Sequence, residues 1–456
     1  MYPMSSRPGN IERRSINSLP PELLVIIFSL VPGCPSALAE LADVDAPFDE
    51  ARVSLRRTED LWPIFFTCRR WMHICLNTPH LWSTITFDSC APSPRRIPPY
   101  KHMFKCPSGP QYVLLKGGPS EEASRRVREF SARVNTLCCQ DIVLNATTEC
   151  GSLGVVSLPQ LRVCELACTA SGQLPRRTAP LFPNSAALRV LRLTRPPFIP
   201  SNSFPALTHL QIDTIVGAPV ESNTPTVGDL VTFLSLLPKL QVLELIHVAC
   251  GLSPSVDGWP DGQLQLTNLA RFSSEEPAAE GWGASARRIT KFRDLFFSHT
   301  SFPHSCAIHL GWARPDQLRQ FAAVLPLGAR RAARARISRA RNQVSAAHPA
   351  PGARVLLELT SGPAADAQRW SFGVQTLYPD DASCLARAAS MADHVARQLA
   401  GCAAHPMFAA VEELELDGVG WLVVATPSPL ASFLELKVLV VRDVVARETC
   451  VVTLSC

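Results

Sequence analysis

Six short segments of the chain share one apolar spacing. Residues Leu161–Leu166, Leu188–Leu193, Leu207–Ile212, Leu240–Leu245, Val411–Leu416 and Leu436–Val441 each fit LxxLxL with conservative swaps. Alternate residues of a strand share a face, so this spacing predicts strands that are apolar on one side. The first four, starting at 161, 188, 207 and 240, lie 27, 19 and 33 residues apart. One such match is cheap in a leucine-rich chain. Six, three of them with a proline shortly upstream (Pro159, Pro205, Pro238), predict an irregular repeat whose strands feed one common core. The alternative is an unrelated α/β domain with strands at the same places.

The totals agree with a chain of several packed units. Its 456 residues allow two to four domains, and 46% hydrophobic against 18% charged residues supplies substantial cores. Forty prolines predict frequent turns and strand ends. A net charge of +5 is too small at this length to point to nucleic acid. Sixteen cysteines occur without any CxxC pair and mostly inside apolar runs, as at Cys75, Cys164 and Cys250. They read as reduced core residues of a cytoplasmic or nuclear protein. A secreted, disulfide-bonded chain is the rival. Arg7, Arg13 and Arg14 precede the apolar run 23–31, and Ala37-Leu38-Ala39 follows it, but Pro20, Pro21 and Glu22 interrupt a signal sequence at its mouth. The sequon Asn145-Ala146-Thr147 matters only in that rival case. No apolar run reaches the roughly 18–20 residues of a membrane span.

Near the start, Leu19-Pro20-Pro21-Glu22-Leu23-Leu24 opens a helix: proline lacks only an unused donor there, and Glu22 meets the positive end of the dipole. Leu23, Ile26, Ile27 and Leu30 form one apolar face, and Leu24, Phe28 and Val31 a second. A short helix apolar on two faces needs two things to pack against, its own domain and a partner. A second helix is predicted from Asp60 as cap, through Pro63, to Cys75. Its lining is Leu61, Ile64, Phe65, Cys68, Trp71, Met72 and Cys75, with Arg69, Arg70 and His73 turned away to solvent or a partner. Leu81-Trp82 then returns as an apolar clamp.

Taken in order, Leu19-Pro20-Pro21-Glu22-Leu23-Leu24 with Ile27-Phe28, Cys68-Arg69-Arg70-Trp71, and Pro79-His80-Leu81-Trp82 resemble an F-box of the fungal type, over residues 18–83. An insert at 32–60 departs from the compact pattern. The resemblance implies a helical module that docks on a Skp-type adaptor and, through it, a cullin. It implies that Leu19, Pro20, Leu24, Ile27, Phe28 and Trp71 contact the adaptor or support the contact. The implied role is substrate recognition in an SCF-type ubiquitin ligase, with the repeats holding a target protein. A non-ligase interaction scaffold is the alternative, and the secreted cysteine-rich protein a further one.

The expected organisation is α+β: a small helical module, then an irregular α/β leucine-rich-repeat-like solenoid. Residues 1–17 read as disordered and 18–89 as the helical module. The proline-rich stretch 90–110 is a linker, and 111–250 is repeat-like. Residues 251–350 read as irregular, with an arginine-rich helix or linker at 330–341, and 351–456 as further repeat. The apolar end, Glu448–Cys456, reads as a truncation or an altered frame, because solenoids normally cap their cores. No catalytic set stands out: GxSxG, HExxH, P-loop and GxGxxG are absent, and the chain is expected to be no enzyme and to need no cofactor. His299, His304, Cys306 and His309 are the densest group of possible metal ligands, but their spacing fits no standard zinc module, so no metal is expected. Nor is a nucleic-acid or membrane partner.

Overall fold

A computed structural model describes residues 16–29, 62–78, 81, 84–88, 111–117, 127–143, 156–169, 178–214, 225–248, 252–253, 263–275, 291–293, 295–297, 299–303, 306–310, 334–339, 352–361, 368–377, 413–417, 438–443 and 448–453. The insert 32–60, the linker 90–110 and residues 1–15 lie outside these. The chain divides into two compact units, residues 1–138 and 139–456.

In the first unit a 3-10 turn, Ile16–Ser18, leads into α1, Pro21–Ser29. Two further helices follow, α2 at Trp62–Phe65 and α3 at Arg69–Leu76, where a single helix was expected. The break has a local cause. Thr67 turns its hydroxyl back onto the Pro63 carbonyl at 2.6 Å, and its N–H bonds Ile64 O in a tighter turn, which ends α2. After the helices come β1, Thr84–Asp88, and β2, Gln111–Lys116, paired in parallel from Thr84 opposite Tyr112 to Asp88 opposite Lys116. The end of the expected helical module is therefore a strand.

Strand β3, Val134–Val143, spans the division. Then follow β4 (Val163–Thr169), β5 (Thr178–Ala179), β6 (Val190–Thr194), β7 (Ile199–Pro200) and β8 (His209–Asp213). Helix α4, Val227–Ser235, precedes β9 (Val242–Ile246), β10 (Leu264–Gln265), β11 (Arg271–Glu275), β12 (Thr300–Ser301) and β13 (Ala307–Leu310). The remaining strands are β14 (Arg334–Arg339), β15 (Gly352–Ser361), β16 (Gln368–Leu377), β17 (Glu413–Asp417), β18 (Val438–Asp443) and β19 (Glu448–Thr453).

Each of the six sequence motifs becomes a strand that starts at its third residue: β4, β6, β8, β9, β17 and β18. The run β4, β6, β8, β9, β11, β13, β16 is parallel throughout, giving a mixed α/β structure. Adjacent motifs pair in frame. Cys164, Leu191, Leu210, Leu243, Phe272 and Ile308 form one register row; Leu166, Leu193, Ile212, Leu245, Ser274 and Leu310 form another. All of these residues are buried. Between the two lies a polar row, Glu165, Arg192, Gln211, Glu244, Ser273 and His309, on the opposite face by the period of two.

The joint between turn and strand also repeats. The N–H of the first motif leucine closes a tight turn onto the carbonyl three residues back: Leu161 to Leu158, Leu188 to Ser185, Leu207 to Phe204, Leu240 to Leu237. Pro159, Pro205 and Pro238 occupy the second position of such turns, where their fixed φ is already suitable. The next carbonyl then accepts two N–H groups from the following unit: Arg162 O from Arg189 and Val190, Arg189 O from Thr208 and His209, Thr208 O from Gln241 and Val242. Leu266-Thr267-Asn268-Leu269 makes the same turn before β11, and Gln241 O takes Ala270 and Arg271.

The region 251–350, expected to be irregular, thus supplies strands of the sheet. Its motif is degraded, Phe272 and Ser274 standing where leucines recur elsewhere. Phe272 is packed by Phe296, Phe297 and Phe302 at ring-centroid distances of 5.8, 5.6 and 5.2 Å. The arginine-rich run corrects a second expectation, since residues 334–339 are β14 rather than a helix or linker. It pairs antiparallel with β15 and parallel with β17, Arg334 in register with Glu413 and Arg336 with both Glu415 and Glu358. Helix α4 packs against β7 and β10 and is closed by a capping box. Thr226 Oγ1 accepts from Asp229 N at 3.0 Å, and Asp229 Oδ2 accepts from Thr226 N at 2.8 Å. No helix among the described residues is long and apolar enough to cross a membrane.

Candidate partner-docking surface

Helix α1 is sealed on one side only. Leu24 and Phe28, four apart and therefore on one face, are 0% exposed, and α1 packs against α3. The Phe28 and Trp71 rings meet at 5.0 Å with their planes tilted by 56°. On the outer side Leu23 is 45% and Ile26 56% exposed, three apart and adjacent on the surface. Ile16 on the preceding turn and Phe66 between α2 and α3 are also exposed apolar side chains, and Met72 on α3 is partly so.

The lining of α3 differs from the expectation in the same way. Ile74 and Cys75 on α3 are buried, as is Phe65 at the end of α2, whereas Met72 is not. Burial pushes the Cys75 thiol up to about 11, so it remains protonated and inert. Trp71 is half-buried, and its Nε1 is buried without a hydrogen-bond partner among the described residues. The C-terminal end of α3 is closed by Asn77 Nδ2 on His73 O at 2.9 Å and Thr78 Oγ1 on Ile74 O at 2.7 Å. Leu81 then folds in, buried.

The N-terminal end of α3 breaks local rules. Its N-cap, Cys68, makes no side-chain cap bond, and its first turn holds no acid but two arginines. A cation at the positive end of a helix costs about 0.3–1 kcal/mol. Arg70 is exposed, as expected, yet its guanidinium is tied back to the chain. Its Nη1 donates to Asn17 O and its Nη2 to Leu19 O, the latter at 2.7 Å. Asn17, assigned by sequence to a disordered terminus, is thereby tied to α3.

The six residues singled out from sequence divide accordingly. Pro20 is exposed, Leu19, Ile27 and Trp71 are half-buried, and Leu24 and Phe28 belong to the interior of the module. Those last two can support a partner contact but cannot make one. Leu23 and Ile26, the most exposed apolar residues of α1, were outside that set, although the helical period had already placed them on the other face.

Compared with protein families, with curated proteins and with solved structures, the chain matches none.

Magnitude limits what α1 can do alone. Full burial of a leucine or isoleucine is worth about 1.5–3 kcal/mol, and Leu23 and Ile26 are each about half-covered already. Covering both returns about 1.5–3 kcal/mol in total, well short of the roughly 8 kcal/mol of a micromolar complex. A stable dock must also use neighbouring surface.

The polar face of the parallel sheet is a second surface. Glu244 and Arg271 lie 3.6 Å apart, and Asp213 and His247 3.2 Å. Burial and the Arg192 guanidinium lower the pKa of His209; burial and Arg271 lower that of His309 to about 4. Both imidazoles are neutral at pH 7. Of the four possible ligands at 299–309, Cys306 is fully buried while His309 lies on the polar face, and His304 is outside the described residues. No cluster able to hold a metal ion occurs among the described residues.

Proposed function

We propose that this chain is the substrate-recognition subunit of an SCF-type ubiquitin ligase. Its helical module docks on a Skp-type adaptor, and its sheet region, a leucine-rich-repeat-like solenoid, holds the target. The observation that carries the reading is the two-sided α1: Leu24 and Phe28 closed on the Trp71 helix, Leu23 and Ile26 left in solvent. This arrangement falls among the LPPELL, CRRW and PHLW segments, which follow one another in that sequence along the chain. The in-frame LxxLxL register supports the solenoid part. The contribution to ubiquitin transfer is positional: a target held near the charged carrier has its lysines at raised effective concentration, and the chemistry belongs to other subunits.

The test is co-purification of the full chain with a Skp-type adaptor and a cullin. Wild type is expected to recover both, and Leu23→Asp plus Ile26→Asp neither. Adaptor retained by the double variant sinks the docking surface. Adaptor recovered without cullin makes the chain a scaffold outside a ligase.

A further inference from the structure

Resting on the docking reading above, we propose that Arg70 is a positioning residue. It aligns the turn at 16–19 with the outer face of α1, so that the adaptor meets one preformed strip running from Ile16 to Ile26. The guanidinium reaches carbonyls 53 and 51 residues upstream, at Asn17 and Leu19. Those carbonyls stand just ahead of the point where the helix begins. Leu19 N closes the turn on Ile16 O, and Pro20 O accepts from both Leu23 N and Leu24 N. A planar fork with several donors can hold two carbonyls in fixed relation; an ammonium, a single charged centre, cannot fix both in that way.

Nothing local to α3 favours an arginine at this position. The helix end is uncapped, lacks an acid and already carries Arg69, which makes no such bond among the described residues. A residue that offends its own helix while ordering a segment fifty residues away is placed for that segment. The segment carries Ile16 and Pro20, both exposed, and Leu19, half-buried, immediately ahead of Leu23 and Ile26 in the chain. Ordering it before binding removes a loss of chain entropy that the complex would otherwise bear.

The experiment measures the affinity of the full chain for a purified Skp-type adaptor by calorimetry, alongside hydrogen exchange of the free chain. Arg70→Ala is expected to weaken binding about tenfold, the effect of losing charged hydrogen bonds that preorganise the site. Arg70→Lys is expected to fall between, and Arg69→Ala to stay within about twofold of wild type. Exchange in Arg70→Ala should rise at Leu19, Leu23 and Leu24 while Ile74 and Cys75 stay protected. Wild-type affinity in Arg70→Ala, or exchange rising equally through α3, overturns the proposal. Should the alanine variant not fold, the lysine variant decides, because undiminished affinity there refutes the fork. Binding that survives Leu23→Asp plus Ile26→Asp removes the docking reading itself, an outcome distinct from failure of Arg70.

Discussion

Two residues two positions apart on α1 should respond to substitution in opposite ways. Phe28 is fully buried with its ring against Trp71. Phe28→Ala removes that ring and leaves a cavity, at a cost of about 3–5 kcal/mol, to which the lost aromatic pair contributes about 0.5–1.5 kcal/mol. At about 1.4 kcal/mol per decade, opening of the α1–α3 contact rises by two orders of magnitude or more. Ile26 is more than half exposed, and a substitution there changes stability by about 0.5 kcal/mol or less. Hydrogen exchange followed by mass spectrometry on the full chain reads both. Peptides covering 69–76 should exchange at least a hundredfold faster in Phe28→Ala and within about threefold of wild type in Ile26→Asp. Adaptor binding should be lost in both, by unfolding in the first and at the surface in the second. If Ile26→Asp deprotects α3 as Phe28→Ala does, Ile26 is a core residue and the two-sided helix is refuted.

Three further outcomes follow from the sheet. Leu210→Ala empties a fully buried position between Leu191 and Leu243 and should cost about 2–5 kcal/mol, seen as a lower urea midpoint. Gln211→Ala on the polar face should move it little. Arg195 has φ 55°, a left-handed backbone costly for any residue with a Cβ, while its N–H bonds Asp213 O. Arg195→Gly keeps that bond and should raise stability by about 0.5–1 kcal/mol; a loss would show that the backbone there is not the cost. His309 has a folded pKa near 4, below the ordinary 6.5, because of burial and then Arg271. Above 6.5 both states are neutral. Between 6.5 and about 4 the unfolded chain takes a proton that the fold refuses, so stability falls as pH falls, by up to about 3 kcal/mol. His309→Gln should flatten the profile over that window, and an unchanged slope would assign it to other groups.

The sheet was legible where the motif leucines are intact, because a period of two both makes the strand and selects its buried face. Residues 271–275 and 307–310 continue the register, yet Ser274 replaces a core leucine and a phenylalanine cluster fills the space around Phe272. The apolar pattern fails there although the turn closed by Leu269 persists, and that turn was the signal to follow. Helix α4 was readable too, in the Thr226–Asp229 capping box and the spacing of Leu230, Phe233 and Leu234, although it is a short helix set between two strand motifs. The arginine run misled through composition. A run rich in alanine and arginine favours a helix locally, and it is backbone pairing with β15 and β17, later in the chain, that makes residues 334–339 a strand. The docking surface shows the deeper limit. A helix of alternating apolar faces announces two partners without saying which face each receives. That choice is made by α3, through the Phe28–Trp71 contact and the reach of Arg70 to Asn17 and Leu19, so it resides in contacts between segments some fifty residues apart. Matching residues to a family motif merges the two faces into one set; the packing separates them, and Leu23 and Ile26 are what it leaves outside.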